Sequence, residues 1–152
     1  MGPEQEATTD ARREVTVDAA TGFSPLDIRQ AAGSGRLWRL LRPLVFRAQM
    51  NGHGGLEVIV PAGAVTDFAS IPRLLWRIFP QLGPYNKAAV AHDYLYWLGI
   101  SRFLADSLFR EMMARSGVSA WQRVPMYYAV RCFGWWSWRK HRRKRRKRKA
   151  KR

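Results

Sequence analysis

Gly99-Ile100-Ser101 constrains this chain more tightly than any other three residues. Before it, "PYNKAAVAHDYLYWL" opens at Gly83-Pro84 and carries apolar residues at helical spacing. After it, "RFLADSLFREMMARS" does the same until Gly117. Gly99 suits a left-handed stop to the first helix, and Ser101 suits the N-cap of the second. A connection this short leaves the two helices no arrangement but an antiparallel hairpin.

The hairpin sets the level of the few polar residues inside it. His92 lies seven residues before Gly99 and Asp106 seven after it. At ~1.5 Å of rise per residue, both stand roughly 10 Å from the turn and face each other across the helix pair. Tyr96 is one turn along from His92 on the same face. Asp93, rotated by about 100°, points to a neighbouring face. A carboxylate on one ring nitrogen of a histidine fixes the tautomer and supports the imidazolium formed when the other nitrogen takes a proton. With no serine or cysteine nucleophile on the helix, such a base would activate water. Asp93 could then hold a hard, oxygen-seeking cation such as calcium. A lone histidine facing a lone aspartate between two helices is most often a structural hydrogen-bonded pair, and spacing alone favours that reading over catalysis.

Around the hairpin the pattern predicts an α+β fold. "PLVFRAQ" and "LEVIVPAG" are short β-branched and aromatic runs separated by "MNGHGG", so a β-hairpin is expected, with "PAGAVTDFAS" extended beyond it. "IPRLLWRIF" reads as a short helix opened by Pro72 and closed by Pro80. Ser119 caps a further helical run, "AWQRVPMYYAVRCFGWWSW", kinked or interrupted at Pro125. Residues 1–33 read as a flexible leader, 34–138 as a single domain, and 139–152 as a polybasic tail that repels itself and is disordered when free.

Charge supports that division. Of 27 Lys and Arg, twelve fall in the last fourteen residues, "RKHRRKRRKRKAKR", which hold no acid. The remaining 15 against 11 acidic residues leave the body at only +4. The single cysteine, Cys132, excludes an intramolecular disulfide and a cysteine-rich zinc site. The first residues lack the apolar run of a signal peptide, and no stretch of about 18 residues is free of charge, so no spanning helix is expected. Trp135, Trp136 and Trp138 lead directly into Arg139, Lys140, Arg142 and Arg143. That composition fits an anchor in an anionic membrane interface, and fits equally a surface that stacks on and neutralises nucleic acid.

"HDYLY" resembles the His-Asp-x-x-Tyr signature of the secretory phospholipases that cleave the sn-2 ester, and "ADSLF" resembles the second helix of that family. The resemblance implies His92 as the base activating water, Asp93 as calcium ligand, Asp106 as the partner of the histidine and Tyr96 as its supporting donor. The chain departs from that family in having Ala91 and Leu95 where cysteines often stand, and no recognisable glycine-rich calcium loop. Asp67 in "TDFAS", or carbonyls of "QLGPY", would have to substitute. Thr66, Asp67 and Ser70 read equally as a polar cluster capping the helix that Pro72 opens.

Over residues 38 to 138 the chain also resembles an uncharacterised family common in tailed phages and prophages, through "VPAGAVTDFASIPR", "AAVAHDYLY" and "ADSLFREMM". That resemblance implies a phage or prophage origin and a place in the host cytoplasm or the phage particle, without assigning an activity. The expectation is a phage-encoded, phospholipase-like, calcium-assisted ester hydrolase. The alternative is a virion or assembly protein whose His-Asp pair is structural and whose basic tail binds DNA or another phage protein.

Overall fold

The computed structural model describes residues 15–33, 37–49, 55–66 and 83–149. Five strands come first: β1 (Ile28–Gln30), β2 (Trp38–Leu40), β3 (Leu44–Gln49), β4 (Gly55–Val60) and β5 (Val65–Thr66). Three helices follow: α1 (Asn86–Leu98), α2 (Arg102–Arg115) and α3 (Ala120–Lys149). The architecture is α+β, as the pattern predicts.

The anticipated hairpin is β3–β4, antiparallel in the register Leu44↔Val60 through Gln49↔Gly55. Leu44, Phe46, Val58 and Val60 send their side chains into the core. On the outer edge the directly opposed Arg47 and Glu57 form an ion pair at 2.7 Å, the kind of cross-strand pair that helps hold a register. β1, β2 and β5 form a second antiparallel sheet in the order β1-β2-β5. The sequence reading did not contain this sheet, because strands of two and three residues are too short to show an alternation.

The expected flexible leader is corrected at its C-terminal half. Phe23 is fully buried, bridges to Phe46 and packs on its ring at a centroid distance of 4.6 Å. The Ser24 hydroxyl, also buried, accepts the Val45 backbone N–H at 2.9 Å. Gly22 makes this approach possible: its φ is +72°, and a Cβ there would collide with the Arg47 carbonyl oxygen. One aromatic in a polar, aperiodic stretch carries no period to read, yet it completes the core.

The helical hairpin forms as predicted. Gly99 adopts φ +75° and its N–H reaches the carbonyls of Leu95 and Tyr96, while the Ser101 hydroxyl accepts the Leu104 N–H at 3.3 Å. α3 runs without a break through Pro125 and onward to Lys149. The basic run is therefore helical as far as Lys149, where disorder was expected. Extending a packed helix needs no new nucleus, Arg and Lys are good helix formers, and cations near a helix C-terminus complement its dipole. The predicted helix over 71–79, the 50–54 turn with His53, and Asp67 and Ser70 lie outside the described residues.

A single core joins sheet and helices. Phe46, Val58 and Val60 from the hairpin meet Ala88, Ala91 and Leu95 of α1, Phe109, Met112 and Met113 of α2, and Met126 and Val130 of α3.

Candidate active site

The site is built on three helices. α1 contributes His92 and Tyr96, α2 contributes Arg102 and Asp106, and α3 contributes Arg131. His92 Nε2 lies 2.9 Å from Asp106 Oδ1, so the pair that equal spacing from Gly99 predicts does meet. The Tyr96 hydroxyl donates to the same oxygen at 2.5 Å. Arg131 Nη1 donates to Oδ2 at 2.9 Å, and Arg102 Nε stands 3.7 Å from it. Asp106 is wholly buried, and His92 is 2% exposed. The imidazole is wedged between Tyr96 and Phe109, with ring centroids at 4.2 and 4.8 Å.

The electrostatics follow from these donors. Burial alone would push the Asp106 carboxyl up, but hydrogen bonds from His92, Tyr96 and Arg131 outweigh it and hold the group below the ordinary aspartate value. Asp106 is thus a carboxylate. The Tyr96 phenol is pushed far above its ordinary value, first by burial and then by the Asp106 carboxylate beside it, and stays a donor. Arg131 is held charged chiefly by its bond to Asp106. Arg102 adds charge to Asp106: among the described residues its Nε and Nη2 are buried without a hydrogen-bond partner.

A carboxylate at Nε2 selects the tautomer with the proton on Nε2. The ring lone pair then sits on Nδ1, which makes no hydrogen bond among the described residues. The arrangement can therefore orient an imidazole, keep one nitrogen basic and support the cation formed when that nitrogen is protonated.

Asp93 points away from the pair, as predicted. Half-buried, its Oδ2 accepts the Thr66 hydroxyl at 2.7 Å, which ties α1 to β5. Calcium asks for six or more oxygens. Among the described residues no group of three or more His, Cys, Asp or Glu gathers to hold a metal, and Asp67 lies outside them. These residues alone do not make a calcium site.

The aromatic-basic segment divides. Trp135, Trp136, Arg139, Arg142 and Arg143 are exposed, whereas Trp138 is partly buried and donates its indole N–H to the Ile100 carbonyl at 3.1 Å. Trp138 therefore pins α3 to the turn of the hairpin, a structural role that sequence spacing did not assign to it. Sequence reading also missed Arg131 and Gly134. A Cβ on Gly134 would stand 2.6 Å from the Tyr96 hydroxyl. A glycine inside an aromatic helix was the available signal of such a close approach.

Fold and site together define a small α+β protein with a buried His-Asp pair at the junction of three helices. The chain belongs to a family described as "Protein of unknown function (DUF1353)", whose model matches residues 38–130. That span holds β2 to β5, the helical hairpin and the first turns of α3. The chain is 40% identical over 84 residues to the uncharacterised protein y4jT of Sinorhizobium fredii (strain NBRC 101917 / NGR234). The similar region is 53% of this chain and 25% of that relative, so the chain spans about a quarter of the protein it resembles. No solved structure matches.

Proposed function

We propose that this protein is a phage- or prophage-encoded, phospholipase-like hydrolase in which His92 activates water against a lipid ester. The observation that carries the reading is His92 held through Nε2 by a charged Asp106 at 2.9 Å, with Tyr96 on the same oxygen and Nδ1 left as the base. In the reaction Nδ1 takes a proton from water as its oxygen attacks the ester carbonyl carbon. Asp106 holds Nε2–H and supports the imidazolium. The tetrahedral intermediate collapses, the alkoxide leaves with the proton from Nδ1, and a carboxylic acid and an alcohol result. Calcium belongs to the proposal through Asp93, with Asp67 as the second carboxylate. When bound it would polarise the carbonyl. The phage origin rests on the resemblance of the "TDFASIPR", "AAVAHDYLY" and "ADSLFREMM" blocks to a family common in tailed phages and prophages.

The second reading is a non-enzymatic virion or assembly protein. It is favoured by the complete burial of Asp106 on α2 and by its bonds to α1 and α3, which suit a structural tie. The two part on His92→Gln. The hydrolase reading expects the wild type to release fatty acid from phosphatidylglycerol vesicles with calcium, and expects the variant to lose at least about a hundredfold in rate. A wild type that releases nothing, beside a variant that melts far below it, leaves the structural tie.

A further inference from the structure

α3 carries an exposed apolar stripe on the face turned away from the core. Trp121, Tyr128 and Trp135 succeed one another at intervals of seven residues, so they line one side of the helix over about 21 Å. Trp121 and Tyr128 are 67% and 62% exposed, and Trp136, beside the stripe, is 75% exposed. The side chains that α3 gives to the core, Met126 and Val130, lie on the opposite side. The tip of the helical hairpin adds to the same surface. Phe103 and Leu104 are exposed, and the Phe103 ring lies under the Arg131 guanidinium at 5.8 Å.

The stripe continues without a break into cations. Arg142 occupies the next position of the seven-residue series, and Arg139 lies over the Trp135 ring at 4.2 Å. Ten of the eleven residues from Arg139 to Lys149 are Lys or Arg, and no Asp or Glu occurs anywhere in α3. α3 is nevertheless too polar to cross a bilayer: no helix among the described residues is long and apolar enough to do so.

We propose that this face of α3, with Phe103 and Leu104, docks the protein on an anionic phospholipid surface, the helix lying along the interface. Indole and phenol rings suit the headgroup boundary, where one end is apolar and the other wet, and the cations draw on anionic headgroups. A second copy of the chain is the poorer occupant, because its own α3 offers no acid to meet these cations. Nucleic acid would meet the cations but gains little from the aliphatic Val124 and Leu104, both exposed. Docking stands whether or not His92 is catalytic.

The test is co-sedimentation of the full-length chain with vesicles of ether-linked phospholipid, which lack the acyl ester, so that binding is read apart from hydrolysis. Vesicles with about 30% phosphatidylglycerol in phosphatidylcholine should bind the chain, and pure phosphatidylcholine should bind it at least about tenfold more weakly. The double variant Tyr128→Ala/Trp136→Ala should lose about tenfold or more of the binding to anionic vesicles at an unchanged melting temperature. Binding that survives this double variant but vanishes with salt would reduce the interaction to charge alone and overturn the proposal. So would a single-stranded oligonucleotide that strips the wild type from vesicles and itself loses affinity for the double variant. A dimer that dissociates in the double variant while vesicle binding persists would assign the stripe to a second copy instead.

Discussion

Gly134 of α3 faces the Tyr96 hydroxyl of α1 so closely that a Cβ at residue 134 would stand 2.6 Å from it. The hydroxyl cannot simply retreat, because Tyr96 is 1% exposed and bonded to Asp106 at 2.5 Å. Gly134→Ala should therefore destabilise the protein by about 1–3 kcal/mol, the usual cost of overpacking. Tyr96→Phe removes the oxygen in the way along with a bond to a charged group, itself worth about 1.5–3 kcal/mol. In a double-mutant cycle followed by urea unfolding, the two losses together should fall short of their sum. Strict additivity would mean that the two residues do not press on each other.

Asp106 makes stability depend on acid. A carboxyl that titrates lower in the folded state than in the unfolded one binds fewer protons when folded. Its stabilisation is complete above the unfolded value of about 4 and is lost as pH falls through the folded value. The wild-type melting temperature should fall steeply below about pH 4. Asp106→Asn should cost about 3–5 kcal/mol at neutral pH, because it strips the negative charge from a buried cluster that holds Arg131 and Arg102. Its acid limb should be shallower than that of the wild type, and an equally steep limb would place the acid sensitivity elsewhere.

Phe23 tests where the domain starts. Phe23→Ala should cost about 3–5 kcal/mol in chemical denaturation, as for any large aromatic removed from a core. The neighbouring exposed Arg29→Ala should stay within about 0.5 kcal/mol of wild type. A silent Phe23→Ala would restore the picture of a leader outside the fold.

Thr66 holds the sheet to the helix that carries His92. Thr66→Val keeps the volume and removes the hydroxyl that Asp93 accepts, so about 1–3 kcal/mol should be lost in urea unfolding. If hydrolysis is observed, the same variant should lower its rate, since Asp93 adjoins His92 and is positioned by this bond.

The linear chain determined a good deal here. Local signals suffice for the helical hairpin: Gly99 and Ser101 act on their own turns, and equal counts from the turn bring His92 level with Asp106. Alternating apolar residues likewise suffice for the β3–β4 pair. Tertiary structure alone decided the rest. Arg131 and Gly134 reach the pair from a helix more than twenty residues further on, and nothing local says which turn of α3 crosses Tyr96. Phe23 has no periodic neighbours, so only packing against Phe46 shows it to be core. The seven-residue aromatic series on α3 can be counted in the sequence, but a buried seam and an exposed stripe have the same spacing. Which of the two it is depends on the side of the helix that Met126 and Val130 press into the core. "HDYLY" was legible as a motif. That Asp106 is a charged carboxylate, leaving the ring lone pair of His92 on Nδ1, depends on donors from α1 and α3 converging on a buried carboxylate of α2.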